Sequence, residues 1–353
     1  ATQTIILADL PLGPDGASRR VAMQAPKNGF FYVIDAATGE FISGDAFGPL
    51  NWATGLDENG RPIEVAAARY GKEPYQQLPG PLGAHNWQPM AYNPDLALAY
   101  IPAQEIPQAY AEDPLFYSKD TAWNTGADFS AGVPPIATPE VAKFLRSTLK
   151  GRLIAWDPVA RAPRWTVEHE NAWNGGVLST AGGLVFQGKL NGQFVAYDAA
   201  TGEKLWDYNV KSGAGAGPGT YMIDGEQYVT IATGWGSAFA LSAGFAYDDT
   251  VPSTVGKVVT FKLGGTGEIA DADLPPIDRT PKAEPFGTDA QLAEGVVDYA
   301  RNCAVCHGPL AVSSGVLPDL RWSVVSADPE AWKGVVLEGH RAANGMVSFS
   351  EYL

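Results

Sequence analysis

The sequence predicts an all-β propeller followed by a small α-helical domain, and three observations carry this prediction. A strand–turn–strand motif recurs along the chain, the 353 residues include 40 glycines and ten tryptophans, and helical spacing begins only near residue 289. Abundant glycine and aromatic residues favour short strands joined by tight turns over long helices. The length suits one large domain and one small one.

The repeat is clearest at Asp35 and Asp198, which both end a strand-like run and are both followed by Ala-Ala-Thr-Gly-Glu. A degenerate copy of the repeat lies between them at Asp157. In such a turn the carboxylate accepts bonds from backbone amides and the glycine supplies a positive φ. The 41 residues from Asp157 to Asp198 match a four-stranded propeller blade, and the 122 residues from Asp35 to Asp157 leave room for intervening blades with insertions.

The neighbouring segments fit the same architecture. Residues 183–188 precede the last repeat as an inner strand, and Asp224-Gly225 lies between two strand-like runs and predicts a hairpin. Two polar, Pro-rich insertions, near 56–83 and 104–148, predict loops over one face. Such loops either cover a site or are plain surface excursions.

Composition divides the chain into three parts. Residues 1–262 are the predicted partial propeller. Between 263 and 289 Gly, Pro, Asp and Thr dominate, and Pro275-Pro276 is incompatible with a regular helix or a central strand. This segment is therefore a predicted interdomain linker, and residues 290–353 are the predicted helical domain.

The formal net charge of −15 argues against a nucleic acid partner, because phosphates would be repelled by such a surface. The acidic surface is either simply solvated or a docking patch for a basic redox partner. No run reaches the roughly 18 apolar residues that a membrane span needs. The chain opens without a signal peptide, directly in a strand-like run, and stops without a closing element, so we expect a fragment of a longer protein.

The two cysteines of the chain both fall in one motif, Cys303-Ala304-Val305-Cys306-His307, which predicts a covalently attached c-type haem. Two cysteines one helical turn apart can each form a thioether, and the histidine that follows can ligate the iron. A zinc site would need two more soft ligands, and His85, His169 and His340 show no ligand spacing. A redox dithiol would need a βαβ context. Because haem c is attached outside the cytoplasm, we expect a periplasmic protein.

The sixth iron ligand is expected downstream of His307, where Met346 is the only methionine. His/Met ligation raises the reduction potential, as suits an acceptor of electrons from an organic cofactor. The alternatives are that Met346 is a core residue and that His340 is the ligand. Pro318 is expected to shape the loop beside His307, and Arg321 is either the partner of a haem propionate or an ordinary surface arginine.

A propeller, a linker and a small cytochrome in this order resemble the quinohaemoprotein alcohol dehydrogenases of type II, which use pyrroloquinoline quinone (PQQ). The resemblance runs over the whole chain and is most specific at residues 25–31, 83–87, 173–176 and 234–236. It implies an eight-bladed propeller, of which this chain is the second half, followed by a C-terminally truncated cytochrome c domain. It also implies three cofactors, namely PQQ, Ca²⁺ and haem c.

The resemblance further implies how these cofactors are used. In the family PQQ lies in the propeller channel, Ca²⁺ polarises its reactive carbonyl, and a carboxylate base removes the proton of the alcohol substrate. Electrons then leave singly through the haem to a periplasmic acceptor, which is a blue-copper protein, another cytochrome or a membrane quinone. The family's catalytic aspartate, its calcium ligands and a disulfide of adjacent cysteines lie upstream of the stretch that matches Ala1. We therefore name no general base and no calcium ligand, and expect the fragment alone to be inactive.

Three residues match the family's quinone contacts most closely. Lys27 corresponds to the cation near the quinone oxygens, where an ammonium would stabilise the negative charge of the reduced quinone. Asn86 and Trp87 match the pair that holds the quinone, with the amide as a donor and the indole as an apolar wall. The plain alternatives are a solvated turn lysine and a packed tryptophan beside a turn asparagine.

Three further matches are less specific. Trp235 and Ala238 correspond to the far side of the cofactor, with ordinary strand packing as the alternative. Trp123 resembles an aromatic wall of the substrate pocket, in a loop of a kind that varies.

Two other functions compete with the alcohol dehydrogenase. Propellers also serve as assembly scaffolds, and a scaffold with a cytochrome would be a pure electron-transfer module. Lys27 and Asn86-Trp87 favour the enzyme, because a scaffold does not need a cation and an amide at the channel. A sugar or aldehyde dehydrogenase propeller would share the mechanism and differ in its substrate.

Overall fold

The structure is a computed structural model. It describes residues 2–113, 126–128, 130–132, 139–234, 239, 255–272, 278–284, 286–313 and 317–351.

Four antiparallel sheets, which we name A to D, follow one another along the chain, and each is built from neighbouring strands that run up and down. Sheet A contains β1 (Ile6–Leu10), β2 (Arg19–Gln24), β3 (Phe30–Asp35) and β4 (Phe41–Ala46). Sheet B contains β8 (Ala91–Asn93), β9 (Leu98–Glu105), β11 (Lys150–Asp157) and β12 (Ala162–His169). Sheet C contains β13 (Val177–Ser179), β14 (Leu184–Gly188), β15 (Gln193–Asp198) and β16 (Lys204–Asn209). Sheet D contains β17 (Gly219–Ile223), β18 (Glu226–Thr233) and β19 (Lys257–Lys262).

The predicted turns are confirmed at the last hairpin of sheets A, B and C. Asp35, Asp157 and Asp198 each accept hydrogen bonds from the backbone N–H groups two and three residues later, at 2.7 to 3.0 Å. Gly39 and Gly202 take the positive φ of 76°. The middle copy is degenerate: it has Arg161, with a φ of 59°, at the position where the other two copies have glycine.

The interval between Asp35 and Asp157 differs from the prediction, since it holds no intervening blade among the described residues. Sheets A and B share one core, so they are consecutive. The interval is filled by insertions, which form two small strand pairs and a helix. These elements are β5 (Ala53–Leu56), β6 (Pro62–Glu64), β7 (Tyr75–Gln77), β10 (Gln108–Tyr110) and α1 (Pro139–Thr148). The repeat itself does not show how long the insertions are, so the spacing between Asp35 and Asp157 wrongly suggested further blades.

Face-to-face packing of the sheets buries their apolar side chains. Between sheets A and B, Phe31 lies 5.7 Å from Trp156, measured between ring centroids. Between B and C, the buried Tyr100 donates its hydroxyl to the carbonyl of Ala199 at 2.9 Å. Between C and D, Phe194 is fully buried. Each such side chain contributes about 1.5–3 kcal/mol, so the sheets hold the loops that precede and follow them in fixed places.

The Asp224-Gly225 hairpin of sheet D is confirmed, because Ile223 pairs with Glu226 and the two turn residues have φ of 51° and 82°. In the described part of the chain, the next helix or strand after Lys262 is α2 (Asp289–Asn302), which begins with a capping box between Thr288 and Gln291. Two further α-helices are described after it, α3 (Ala304–His307) and α4 (Pro329–Val336). In the described part of the chain no helix is long and apolar enough to cross a bilayer.

Candidate functional site

The loops that carry Lys27 and Asn86-Trp87 lie against each other, although Asn86 is 59 positions after Lys27 in the sequence. The backbone N–H of Ala84 donates to the carbonyl of Lys27 at 3.0 Å. Gly83 lies so close that a Cβ there would be 2.6 Å from the Cβ of Lys27. The fold therefore brings these three predicted residues into one locality.

The Lys27 loop is a rigid turn whose charged group remains exposed. Asn28 donates from its amide to Tyr32 Oη at 2.9 Å, and its carbonyl accepts from the indole N–H of Trp52 at 3.0 Å. Gly29 has a φ of 92°, which glycine adopts without strain. Lys27 itself is exposed and forms no ion pair with any described residue. Its ammonium is thus a positive charge that no described carboxylate neutralises.

Asn86 is held by its own loop, and this sets what it can still bind. Its Nδ2 donates to the carbonyl of Leu82 at 2.7 Å, and its Oδ1 accepts from the N–H of Trp87 at 2.8 Å. One amide hydrogen is left for a ligand. Trp87 is 38 % exposed, between Asn86 at 6 % and Gln88 at 1 %. A large ring exposed within a buried stretch is typical of a surface that covers a ligand.

The loop continues toward sheets C and D through close backbone contacts. Pro89 packs on Gly176 and Gly217, where an added Cβ would lie 2.3 and 2.6 Å from its ring. Gly234 then forms a parallel bridge with Ala214. The four stretches that carry the family resemblance, at 25–31, 83–87, 173–176 and 234, therefore lie along one connected line of loops, which we call the loop arc.

Trp235, Ala238 and Trp123 lie outside the described residues, so their predicted roles stay predictions. Phe239, the residue after Ala238 in the sequence, is described, and its ring stacks on Trp173 at 5.1 Å between centroids. Trp173 is 2 % exposed, has a φ of 62°, and its indole N–H has no hydrogen-bond partner in the described part of the chain. The sequence predicts no individual role for Trp173, although a strained, buried tryptophan with an unpaired donor is uncommon.

His85 is the second residue of the loop arc to which the sequence analysis gave no role. Its ring is fully buried, with Nδ1 2.6 Å from the carbonyl of Ala25 and Nε2 2.7 Å from the carbonyl of Gln88. Burial lowers the pKa of His85, and the two backbone contacts oppose that effect. Sequence alone gave no signal, because a histidine next to Asn-Trp looks like any loop residue.

The second candidate site is formed by the Cys-Ala-Val-Cys-His motif. Cys303 ends α2 and begins α3, and its carbonyl accepts from the N–H groups of Cys306 at 3.1 Å and His307 at 2.9 Å. Both thiols are free, and burial is the main cause that raises the pKa of Cys303 to about 11. Two unlinked thiols one helical turn apart have the geometry that two thioether bonds require.

His307 is buried, and its Nδ1 lies 3.1 Å from the carbonyl of Pro318. A carbonyl accepts only from a protonated nitrogen, so this contact places the ring hydrogen on Nδ1 and leaves the lone pair of Nε2 free for a metal. Tyr299 supports the same turn by donating to the carbonyl of Gly308 at 2.8 Å. Pro318 thus shapes the His307 side of the site through its carbonyl oxygen.

The residues predicted around the sixth ligand position have different surroundings. Met346 is half-buried and follows Gly345, which has a φ of 90°. His340 is exposed, and its Nε2 lies 3.3 Å from the carboxylate of Glu338. Arg321 donates from Nε and Nη2 to Asp319 at 2.9 and 2.7 Å, so an intramolecular carboxylate already accounts for its position. Met346 stays the predicted ligand.

One charged contact joins the haem motif to the propeller insertions. Arg301 lies two residues before Cys303, with its guanidinium 3.6 Å from Asp113 and 3.8 Å from Asp128. Its Nε is buried and has no hydrogen bond within the described residues. In the same part of the chain, no three or more His, Cys, Asp or Glu side chains are grouped to hold a metal ion.

Comparison with known proteins finds one family model, described as the glucose/ethanol/alcohol dehydrogenase β-propeller domain, which matches residues 64–229. Among curated proteins, the chain is 41 % identical over 360 residues to the quinohemoprotein alcohol dehydrogenase of Comamonas testosteroni, covering 99 % of the chain and 48 % of that protein. It is also 41 % identical over 360 residues to the dehydrogenase subunit of an alcohol dehydrogenase (quinone) from Komagataeibacter europaeus, again covering 99 % and 48 %.

Among solved structures, the quinohemoprotein alcohol dehydrogenase ADHIIG from Pseudomonas putida HK5 superposes with a TM-score of 0.88 at 42 % identity. That match covers 100 % of the chain and 52 % of the solved one. Sheets A to D thus have the fold of a PQQ β-propeller. The chain spans about half the length of the curated relatives that it matches.

Proposed function

Because this chain belongs to the quinohaemoprotein alcohol dehydrogenases, we propose that it contributes the PQQ-binding loops and the haem c of a periplasmic enzyme that oxidises alcohols to aldehydes or ketones. The observation that carries the proposal is the convergence of Lys27 with Asn86 and Trp87 in the loop arc. An unneutralised cation, a spare amide hydrogen and an exposed indole are the groups that an anionic, planar, oxygen-rich cofactor requires.

The residues present fit PQQ in kind. When bound, PQQ with Ca²⁺ supplies the two-electron oxidation of the alcohol, and haem c supplies the one-electron exit to an external acceptor. Lys27 would hold negatively charged oxygens, because its ammonium has no carboxylate partner among the described residues. Asn86 would donate its remaining amide hydrogen, and Trp87 would cover a ring face and exclude water.

The haem residues fit as well. Cys303 and Cys306 would form the thioethers, and His307 would ligate the iron through Nε2 because Pro318 holds the hydrogen on Nδ1. Met346 would be the second protein ligand of the iron. Within this proposal the carboxylate base and the Ca²⁺ ligands come from parts of the relatives that this chain does not match. The acceptor is a blue-copper protein, a cytochrome or a membrane quinone.

A titration with the quinone tests the proposal. In the full-length apoprotein, Lys27→Met removes the charge and keeps the length of the side chain, so we expect the Kd for PQQ to rise at least tenfold. Lys72→Met changes another exposed lysine, in an insertion of the propeller, and should leave the Kd unchanged. Equal affinities of all three proteins, or a wild type that binds no PQQ, would contradict the proposal.

The haem is tested separately. After expression with haem-maturation machinery, the dithionite-reduced protein should show a c-type α-band. Met346→Ala should lower the reduction potential of the haem, because a methionine ligand to the iron raises that potential. An unchanged potential would reassign the ligand to His340.

A further inference from the structure

We propose that His85 is a positioning residue, whose buried imidazole joins the loop that carries Lys27 to the loop that carries Asn86 and Trp87 and thereby sets the spacing of the groups that hold the quinone. This inference rests on the proposed PQQ site and names a residue on which its geometry depends. The family resemblance and the comparisons assign His85 no role.

The first step is the position of the two carbonyl groups that the ring contacts. Ala25 lies two residues before Lys27, directly after β2 ends at Gln24, and its oxygen is 2.6 Å from Nδ1. Gln88 follows Trp87 directly, and its oxygen is 2.7 Å from Nε2. One ring therefore spans the two loops, with a contact at each end.

The second step is the rigidity of this connection. The ring is completely shielded from solvent, so water cannot replace either contact when a hydrogen bond is lost. A carbonyl accepts only from a protonated nitrogen, so both contacts are hydrogen bonds only in the doubly protonated ring, the form that the two carbonyls favour and burial opposes. In either form the planar ring keeps the two carbonyls at a fixed separation. The carbonyl of His85 accepts from Nε2 of Gln3, and the carbonyl of Gln3 in turn accepts from Gln24 of β2.

The third step is the way in which the loops would move without the ring. Without the ring, Ala84 would still donate to the carbonyl of Lys27, and Gln104 of β9 would still hold the carbonyls of Gly83 and Ala84. These contacts all lie before His85, so the ring is the contact that ties the residues after it to the Lys27 loop. Asn86 and Trp87 are tied to each other and to Leu82, so they would move as one unit relative to Lys27. Since the cation and the amide must contact one rigid ligand together, such a shift would weaken both contacts.

The experiment compares His85 with a matched histidine. His169, at the end of β12, is also buried, and its Nε2 lies 2.9 Å from Gln187. We expect His85→Leu to raise the Kd of the full-length apoprotein for PQQ at least tenfold. His169→Leu also removes a buried hydrogen-bonding ring, so it should lower the stability to a similar degree. It should leave the Kd for PQQ within about twofold, because the ring of His169 bonds to Gln187 and to neither the Lys27 loop nor the Asn86 loop.

Hydrogen exchange provides a readout that requires no quinone. In the apoprotein, His85→Leu should speed amide exchange in both 25–31 and 83–90, and His169→Leu should do so in neither. If His85→Leu does not fold, His85→Asn and His85→Gln replace it. The shorter amide can reach only the Ala25 side and the longer one only the Gln88 side, so each should give an intermediate Kd.

The outcomes separate the two proposals. A wild type that binds no PQQ refutes the proposed function. A wild type that binds PQQ, with folded His85 variants that bind it equally well, overturns the role of His85. Faster exchange in both loops together with an unchanged Kd also overturns it, because the loops would then move without consequence for the ligand.

Discussion

The close approach of Gly83 to Lys27 allows a quantitative test of how the cation is placed. Gly83 has a φ of 81°, and a Cβ added to it would lie 2.6 Å from the Cβ and Cγ of Lys27 and 2.7 Å from its Cα. Ordinary carbon–carbon contacts are about 3.5–4.0 Å, so Gly83→Ala must displace Lys27 by about 1 Å. One of these atoms is the backbone Cα of Lys27, so a change of side-chain rotamer cannot relieve the overlap.

The expected loss of stability has two parts. The left-handed φ costs an alanine about 1–2 kcal/mol, and overpacking adds about 1–3 kcal/mol. Gly39→Ala is the matched control, because Gly39 has a φ of 76° and nothing lies within 4 Å of the added Cβ. We therefore expect Gly83→Ala to lower the free energy of unfolding by about 2–5 kcal/mol, and Gly39→Ala by about 1–2 kcal/mol.

The functional consequence should be confined to Gly83→Ala. A displacement of about 1 Å in a positioning group can cost about 100-fold in rate, so kcat/KM of the full-length holoenzyme for an alcohol should fall by that order. Urea unfolding measures the stability, and steady-state oxidation with an artificial electron acceptor measures the rate. Equal losses of stability in both variants, or an unchanged kcat/KM in folded Gly83→Ala, would refute the rigid contact.

Three further predictions follow from buried and charged groups. Asp157→Ala removes an acceptor of two backbone amides and should lower the free energy of unfolding, measured in urea, by about 2–3 kcal/mol. Asp157→Asn keeps an acceptor oxygen and should lower it by only about 1 kcal/mol. Equal losses in the two variants would contradict a role for these hydrogen bonds in stabilising the turn. Burial lowers the pKa of His169 to about 4 from 6.5, so the unfolded chain binds more protons between these values. His169 should therefore contribute a fall of about 3 kcal/mol in the free energy of unfolding as the pH drops from 6.5 to 4, measured as the difference in pH dependence between wild type and His169→Gln. Arg301→Gln should weaken the contact with Asp113 and Asp128 at a cost of less than about 1 kcal/mol. At low salt, amide exchange in residues 108–113 should be faster in the variant than in the wild type. At high salt, where the charges are screened, the two proteins should exchange at the same rate.

The turns could be predicted from the sequence because their physics is local. An aspartate that accepts from amides two and three residues later needs only its own hairpin, and Asp224-Gly225 likewise needs only two positive φ values. The haem motif belongs to the same class, since Cys303, Cys306 and His307 occupy one helical turn. Each of these features is encoded within about five consecutive residues.

The arrangement of the sheets could be predicted only in part, because insertions separate neighbours in space by any length of chain. Sheet B receives β9 and β11 as adjacent strands, yet 44 residues lie between Glu105 and Lys150. The repeat marks the hairpins and carries no information about what is inserted between them. A loop can lengthen at small entropic cost, which is why spacing is a weak guide to the number of blades.

The two candidate sites differ in how much of the fold each one requires, and this explains what the sequence could not predict. The proposed haem site is a continuous turn with one distant support, Pro318. The loop arc instead takes Lys27 from sheet A, Asn86 from the segment before sheet B, and Gly176 from the segment before sheet C. Its geometry is set by contacts between segments, above all at His85, which contacts Ala25 and Gln88 and is fully buried in the folded chain. Burial is a property of the folded chain, so a motif can name the residues that contact a ligand and still leave out the one that spaces them.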